Sequence, residues 1–359
     1  MDNIFVQKQT INEPQLLSKR LSWNNGKTLS KTFIKGSVAK STIEQIKQKV
    51  KLGQYQLEEY SCFCGGKEGL LISEIDRYGF YYPLVICKNC GLIRANPRMN
   101  KAAYEKFYAN EYRAAYGASE QPIDELFKSQ QKHHRIKCRY ISENITLPHR
   151  AVIFDIGCDF GTMLQQFANQ GHEVYGCDYG IEHLDYGRRK TGIEDLILGG
   201  YEVLESIEKK ADLIILSHVI EHFLELESTL RRIRKLLKPA GICYVAVPGT
   251  YKIENSFLKN DIIGLLQNAH IYQFSLNSLR YVMECCGFSF IKSTEEIEAF
   301  FQFSENFRSK ADYPAQESRA ILNHLQAAEK KFLIREKIVN FLERIHLHTF
   351  IKNLINKIR

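Results

Sequence analysis

The sequence predicts an α/β protein built on a doubly wound, parallel sheet. From Arg150 onward, apolar runs of strand length alternate with helical segments of about 10 to 15 residues. The strand candidates are 151–156, 173–177, 195–198, 213–217 and 242–247, and the clearest helix between them is 225–237. A helix over 275–286 then precedes two more strand candidates, 288–292 and 297–303. Because parallel strands need crossover connections, this alternation favours a sheet with helices on both faces.

The composition indicates an ordinary globular protein of several units. Of the 359 residues, 44% are apolar and 25% are charged. No window approaches the roughly 18 to 20 apolar residues that a membrane span needs. The opening segment MDNIFVQKQT lacks the apolar core of a secretory signal. We therefore expect a cytoplasmic protein.

The net charge of +8 lies at the two ends of the chain. Residues 1–51 hold ten Lys/Arg and three Asp/Glu, and residues 329–359 hold eight and three. The middle of the chain therefore has a net charge of −4. Nucleic-acid binding needs a basic face around the site, so this distribution argues against a nucleic-acid partner.

Composition and pattern divide the chain into five predicted segments. They are a basic, partly disordered N-terminal extension (1–54), a cysteine-containing module (55–100), a helical connector (101–149), the α/β domain (150–303) and a basic helical C-terminal extension (304–359).

The first strand of the α/β domain runs into a glycine-containing turn. Asp155 is followed by Gly157 and Gly161, and a helix begins there. Glycines let the backbone approach a ligand, and the N–H groups of a helix start favour polar or anionic groups. The next strand ends at Asp178, 21 residues beyond Gly157, where a carboxylate can accept both hydrogen bonds of a ribose diol. The alternative is a tight strand–helix turn that binds nothing.

These motifs resemble those of class I S-adenosylmethionine-dependent methyltransferases. The spacing Gly-x-x-x-Gly behind Asp155 is closer to that family's first motif than to the Gly-x-Gly-x-x-Gly of nicotinamide enzymes. Three later runs are also similar to the family: 211–222, 236–248, and 270–275 followed by 286–288. The resemblance implies a Rossmann-like sheet whose seventh strand is antiparallel, and S-adenosylmethionine as the cofactor.

By this resemblance, the cofactor-binding residues are Asp155, Gly157, Cys158, Gly161, Asp178, Tyr179, Gly200, Tyr201, Ser217 and His218. Asp155, Gly157 and Gly161 shape the turn around the methionine part, and Asp178 takes the ribose hydroxyls. Gly200 and Tyr201 lie near the adenine, and Ser217 and His218 close the site. One position departs from the family, because Asp159 replaces the usual middle glycine. If Asp159 blocks the pocket, the domain is a non-catalytic scaffold.

Four of the ten cysteines form two close pairs. They are Cys62 with Cys64 and Cys87 with Cys90. In a reducing compartment, such pairs favour a metal over disulfides. Four thiolates supply the closed tetrahedral set of a structural Zn²⁺ site, although one cysteine of the first pair could instead simply be packed. The segment resembles the zinc-ribbon-like N-terminal module of bacterial methyltransferases common in sugar and surface-polysaccharide pathways.

The candidate catalytic residues follow the fourth strand of the predicted sheet. They are His218, Glu221 and His222, joined by His270 from a later segment. Ligands of open α/β sheets bind at the carboxyl ends of the strands, and a hydroxyl acceptor needs a base. We expect His222, or else His270, to be that base. On a helical turn, His218 and His222 would share one face. For each histidine, simple packing is the alternative.

The predicted reaction is methyl transfer to a hydroxyl of a saccharide or nucleotide-sugar. The alternatives are a lipid-linked quinone or an RNA acceptor, and a scaffold without activity. Residues 330–359 place apolar side chains at helical spacing among Lys and Arg. This segment predicts either a helix packed on the body or a helix on the inner membrane surface.

Overall fold

The computed structural model describes residues 16–23, 37–115, 121–254, 258–294 and 297–344. Much of the extension predicted over 1–54, and residues 345–359 of the C-terminal extension, lie outside these ranges. Within them, no helix is long and apolar enough to cross a bilayer.

The first part of the chain forms small strands and then helices. Its elements are α1 (Ser37–Lys51), β1 (Leu57–Glu58), β2 (Gly69–Ile75), β3 (Tyr81–Cys87), β4 (Ile93–Ala95), β5 (Arg98–Met99), α2 (Lys101–Asn110), α3 (Tyr112–Ala115) and α4 (Ile123–Asn144). Asn100 caps α2, because its side chain accepts the Ala103 N–H at 2.9 Å.

Strands and helices then alternate as predicted. The elements are β6 (Val152–Ile156), α5 (Thr162–Ala168), β7 (Glu173–Asp178), α6 (Ile181–Thr191), β8 (Leu196–Leu198), β9 (Ala211–Ser217), α7 (Leu226–Arg234), β10 (Leu237–Ala246), β11 (Tyr272–Gln273), α8 (Leu276–Cys285), β12 (Phe288–Ser293), β13 (Glu298–Phe303) and α9 (Glu317–Arg344).

Seven strands form the central sheet in the order β12-β13-β10-β9-β6-β7-β8. The five strands from β10 to β8 run parallel, and β13 is antiparallel to both of its neighbours. The predicted doubly wound sheet with an antiparallel seventh strand is therefore confirmed.

The strands were predictable because both faces of the sheet are buried. Phe154 and Leu216 pack into the core on one face, while Ile153 and Ile215 pack into the core on the other. Strands buried on both faces read as continuous apolar runs.

The predicted helix 225–237 is too long. It ends at Arg234, and Leu237 already pairs with Ala211 as the first residue of β10. The reason is Pro239, whose ring and missing N–H do not continue a helix. The register of β10 then shifts between Leu237 and Ile242.

A second, four-stranded sheet joins the cysteine-containing module to the α/β domain. Its order is β11-β4-β3-β2, so β11 comes from a segment about 180 residues after β4. Tyr272 faces Arg94 in this antiparallel pairing, and the Ala95 N–H donates to the Ile271 carbonyl at 2.9 Å. The module predicted over 55–100 is therefore hydrogen-bonded directly to the end of the segment that carries His270.

Gly187 lies where α6 packs closely against the turn after β6. In a helix interior, Ala is favoured over Gly by about 1 kcal/mol. A Cβ on Gly187 would, however, lie 2.4 Å from the Phe160 carbonyl oxygen. We expect Gly187→Ala to lower the free energy of unfolding by about 1–3 kcal/mol. The melting temperature should fall with it. Chemical denaturation measures this, and a stabilised variant would contradict the packing.

The comparison variant is Gly171→Ala, which has a left-handed φ without a clash, whereas Gly187→Ala has a clash without a left-handed φ. Gly171 has a φ of 85°, but a Cβ there meets no atom within 4 Å. It therefore reports the cost of backbone strain without a clash, about 1 kcal/mol.

Candidate functional site

The site lies where three parallel strands end side by side. Gly157 follows β6, Asp178 ends β7 and Ser217 ends β9. This carboxyl edge is where open α/β sheets bind ligands. The structure thus brings the predicted cofactor residues of three strands together.

The turn after β6 requires its two glycines. Gly157 and Gly161 have φ values of 78° and 68°, in the left-handed region. A Cβ on Gly157 would lie 2.6 Å from Val219, and one on Gly161 would lie 2.7 Å from Leu196. The Gly157 N–H donates to the Cys177 carbonyl at 2.8 Å, which ties the turn to β7.

Asp178 is at the centre of a polar network. Its carboxylate accepts the Gly180 N–H at 2.7 Å, the Asp159 N–H at 3.2 Å and an Arg113 N–H at 3.3 Å. Burial and the neighbouring Asp159 raise the pKa of Asp178. The backbone donors and Arg113 oppose this shift.

Asp159 turns its carboxylate toward the helices that flank the turn. It is hydrogen-bonded to His183 of α6 and to Gln130 of α4. Burial acts to raise the pKa of Asp159, but the contacts with His183, Arg113 and Gln130 outweigh it and lower the pKa. The residue that replaces the usual glycine is therefore anchored by partners on α4 and α6.

Asp155 is the second buried carboxyl at this edge. Burial and then repulsion from Asp178 raise its pKa to about 8. Lys137 of α4 opposes the shift, and its ammonium donates to the Ser217 hydroxyl at 2.9 Å. Burial lowers the pKa of Lys137 itself.

The remaining predicted cofactor residues differ in exposure. Tyr179 is 70% exposed, and its hydroxyl lies over Gly200, where a Cβ would approach it to 2.5 Å. Tyr201 is buried beneath the guanidinium of Arg232. The thiol of Cys158 is buried in the core against Leu164, so only its backbone reaches the turn.

Glu221 is a fully buried carboxylate surrounded by histidines. Its side chain is 1% exposed, and within the described residues neither oxygen accepts a hydrogen bond at normal distance. His218 Nδ1 lies 3.6 Å from Oε1. Burial acts to raise the pKa of Glu221, but His218, His222 and His270 outweigh it and lower the pKa to about 2.

His222 is held in one orientation by three groups. Its Nδ1 lies 2.8 Å from the Ala269 carbonyl oxygen and 2.6 Å from the Tyr108 hydroxyl. Tyr112 stacks on Tyr108 at 4.5 Å. Because a carbonyl can only accept, Nδ1 carries the proton and Nε2 holds the lone pair. Burial lowers the pKa of His222, which keeps the ring neutral and able to accept a proton.

His270 lies against His222, with the two ring centres 4.8 Å apart. Burial and the neighbouring His222 lower the pKa of His270 to about 3. Its Nδ1 lies 3.4 Å from the Gln273 amide nitrogen, in β11. The structure therefore brings all four predicted catalytic residues together.

The prediction that His218 and His222 share one face of a helical turn is wrong. His218 has a φ of 58° and precedes a 3-10 helix, Ile220–His222. The left-handed residue is needed where the chain leaves β9, and it places His218 outside the helix.

A cavity of about 360 Å³ opens beside this cluster. It lies at the carboxyl ends of β9 and β10, and His218 and His270 both line it. Three cationic side chains also face it, from the cysteine-containing module, from α4 and from the segment after β10: Arg77, Lys137 and Lys252. Glu298 contributes the one lining carboxylate of the described residues. Apolar side chains, among them Val247, Leu258 and Leu265, form the rest of the wall, so the cavity offers an anionic ligand three cations within a partly apolar lining.

The four predicted metal ligands also meet. The sulfurs of Cys62 and Cys90 lie 3.5 Å apart, as do those of Cys64 and Cys87, and all four lie within 4.8 Å of one another. Tetrahedral zinc with Zn–S bonds of about 2.3 Å needs sulfurs about 3.8 Å apart. The donor set and the spacing therefore fit this metal.

Sequence reasoning missed the residues that come from outside the α/β pattern. Tyr108, Tyr112 and Arg113 lie on α2 and α3, and Arg77 lies between β2 and β3. The available signal was the spacing of Tyr104, Tyr108 and Tyr112, which places three tyrosines on one helical face. Their contact with His222 depends on tertiary packing.

Residues 128–293 match the family model described as a methyltransferase domain. The match covers the turn after β6, the ends of β7 and β9 and the Glu221 cluster. Together with the antiparallel seventh strand, it decides the class of the protein. The chain is a class I S-adenosylmethionine-dependent methyltransferase. The predicted enzyme class and methyl-donor cofactor are confirmed.

The methyltransferase is similar to curated ubiquinone biosynthesis O-methyltransferases. It is 22% identical to that of Pectobacterium atrosepticum over 62% of this chain and 85% of the relative. It is 26% identical to that of Chelativorans sp. over 33% of this chain and 53% of the relative. The chain spans about half the length of most of the other curated relatives it matches.

Similar solved structures include other methyltransferases. One is the 1,6-didemethyltoxoflavin-N1-methyltransferase of Burkholderia thailandensis. It is 13% identical in sequence, the alignment covers 60% of this chain and 96% of that chain, and the TM-score is 0.43. Another is human N-acetylserotonin methyltransferase. It is 18% identical in sequence, the alignment covers 56% of this chain and 62% of that chain, and the TM-score is 0.43.

The low pKa of His270 predicts a loss of stability in acid. The pKa is about 3 in the folded methyltransferase against 6.5 in the unfolded chain, so unfolding takes up a proton below pH 6.5. Its share of the stability is complete above pH 6.5 and lost as pH falls toward 3. At pH 5 the loss is about 2 kcal/mol.

We therefore expect His270→Gln to weaken the pH dependence of unfolding. Urea denaturation at pH 7.5 and pH 5 should give a difference about 2 kcal/mol smaller than in wild type. The control is His133→Gln, at an exposed histidine outside the cluster. Equal pH dependence in wild type and His270→Gln would contradict the burial argument.

Proposed function

We propose that the methyltransferase transfers the methyl group of S-adenosylmethionine to a hydroxyl of an anionic saccharide, such as a nucleotide-sugar. The observation that carries the proposal is a cavity lined by three cations, whose lining residue His270 packs against the neutral, oriented His222. A hydroxyl needs a base to become a good nucleophile, and anionic groups of an acceptor need cations.

The cofactor is proposed to be held at the edge formed by β6, β7 and β9. The Asp178 carboxylate supports this assignment, since it can accept hydrogen bonds from two ribose hydroxyls. Arg113 already bonds to this carboxylate, so ribose hydroxyls would compete with its guanidinium. The turn requires glycine at 157 and 161, because a Cβ there would clash with Val219 or Leu196. The missing side chains would let the backbone approach the methionine part closely.

His222 is proposed as the base that takes the acceptor proton. Nδ1–H donates to the Ala269 carbonyl, and this leaves Nε2 as the proton acceptor. The ionised Glu221 supports the role, because its negative charge stabilises the imidazolium that forms. Tyr108 and Tyr112 fix the ring.

The anionic acceptor is supported by the origin of the three cations. Arg77 is presented by the cysteine-containing module, Lys137 by α4 and Lys252 by the 3-10 helix Thr250–Glu254. Burial makes the Lys137 charge costly, and an anionic ligand would offset that cost. A saccharide bearing phosphate groups has this chemistry.

A quinone-type acceptor is the second candidate. The relatives named ubiquinone biosynthesis O-methyltransferases favour it. These names also support oxygen as the methylated atom. The cationic lining of the cavity favours the saccharide.

The four cysteines are proposed to bind a structural zinc ion. Four thiolates leave no open coordination position, so the metal would stabilise the module and supply no catalysis. The module carries β4, whose pairing with β11 positions the His270 segment. Loss of the metal would therefore loosen the acceptor side of the site.

We expect His222→Asn to reduce kcat by about 10²- to 10⁴-fold while S-adenosylmethionine affinity stays within about twofold. Lys252→Gln should raise KM for an anionic acceptor with a smaller effect on kcat. Turnover with a panel of nucleotide-sugars and phenols, followed by release of S-adenosylhomocysteine, measures both. The control is Lys209→Gln, at an exposed lysine outside the cavity.

An unchanged kcat in His222→Asn would exclude His222 as the base. If the enzyme methylated a neutral phenol and Lys252→Gln left its KM unchanged, the quinone-type acceptor would be favoured.

The metal proposal predicts about one zinc per purified chain. Cys87→Ser should lose the metal and lower the melting temperature, because three thiolates hold zinc less tightly. Elemental analysis and thermal denaturation test this. The control is Cys243→Ser, at a buried cysteine outside the cluster, which should retain zinc. Folded protein without zinc, after preparation in its presence, would contradict the proposal.

A further inference from the structure

The distal half of α9 presents an unusual surface. The first half of the helix is packed through Ile321, Leu325 and Ala328. Beyond them, Ile334, Ile338 and Phe341 are 50%, 54% and 61% exposed. At about 100° per residue, these three side chains fall within a sector of about 60°. They form one exposed apolar stripe, which we name the α9 stripe.

Basic residues flank the α9 stripe. At about 100° per residue, Lys330, Lys337 and Arg344 lie along one side. Lys331 and Arg335 lie along the other side, where Glu254 and Glu336 offset part of their charge. The two carboxylates of this half, Glu336 and Glu343, fall on the opposite side of the helix. A helix of this kind suits the interface of an anionic bilayer, where apolar side chains enter the headgroup boundary and cations meet phosphates.

The helix that carries the stripe also contacts the segments that wall the cavity. Lys331 donates to Glu254 at 2.6 Å, and Arg335 donates to the Lys259 carbonyl at 2.7 Å. The α9 helix also packs against the 3-10 helices Thr250–Glu254 and Ile262–Leu265, which supply cavity-lining residues. The segments that wall the cavity therefore contact the same helix, on the face that is turned away from the stripe.

We infer that the α9 stripe docks the methyltransferase on an anionic phospholipid membrane. Charge decides between this occupant and a second copy of the chain. A two-fold contact between two stripes would place their basic flanks against each other, whereas an anionic lipid surface complements them. This inference rests on α9 and does not depend on the identity of the acceptor.

The test is sedimentation of the full chain with vesicles of phosphatidylcholine containing about one third phosphatidylglycerol, and with pure phosphatidylcholine. Wild type should bind the anionic vesicles, and binding should weaken as salt is raised. The variant Ile334→Ser/Ile338→Ser/Phe341→Ser should partition at least about tenfold less. The variant Lys330→Gln/Lys337→Gln/Arg344→Gln should lose the preference for anionic vesicles.

The matched control is Leu52→Ser/Ile136→Ser. These apolar side chains are 69% and 65% exposed and lie outside α9, so their loss should leave binding unchanged. Equal vesicle binding by wild type and the serine variant of the stripe would overturn the inference. The inference would also be overturned if the wild type bound no vesicles and instead formed a dimer in analytical ultracentrifugation, and if the serine variant of the stripe were monomeric. That result would assign the stripe to a second copy.

Discussion

The pairing of β4 with β11 is the contact on which the cluster around Glu221 and the adjoining cavity depend. Two residues from the segment after the fifth strand join a sheet that belongs otherwise to the cysteine-containing module. This short pairing fixes the preceding residues, so that the Ala269 carbonyl meets His222 and the His270 ring packs against it. It also brings Arg77 to the same cavity as Lys137.

Two separate buried-charge arrangements follow along the carboxyl edge of the sheet. At β6 and β7, Asp155, Asp159 and Asp178 are close together, and Arg113 and His183 offset part of their repulsion. At β9, the pKa of the buried Glu221 is lowered, and His218, 3.6 Å from its carboxylate, makes the largest contribution to this lowering. The first arrangement suits a polar cofactor with ribose hydroxyls, and the second suits transfer of a proton. Burial strengthens the electrostatics at both.

The sequence was sufficient to predict the central sheet and the positions where its strands end, because strands that are buried on both faces leave long apolar runs. It also placed Asp178 and Glu221 correctly at those ends. It could not indicate the β4–β11 pairing, since a two-residue strand has no detectable period. Nor could it assign Tyr108 to the site, because the contact of Tyr108 with His222 joins segments more than a hundred residues apart. It could not assign Lys252 either, because the cavity wall is assembled from several segments of the chain.

Binding of S-adenosylmethionine through Asp178, at the edge formed by β6, β7 and β9, is the step on which the proposed function depends. Titration calorimetry of the folded protein with S-adenosylmethionine tests it most directly. The account predicts saturable binding in wild type, weakened at least about tenfold in Asp178→Ala, which loses hydrogen bonds to a charged group. The control Asp185→Ala, at a half-exposed carboxylate of α6, should bind like wild type. Equal affinity of wild type and Asp178→Ala would contradict the account.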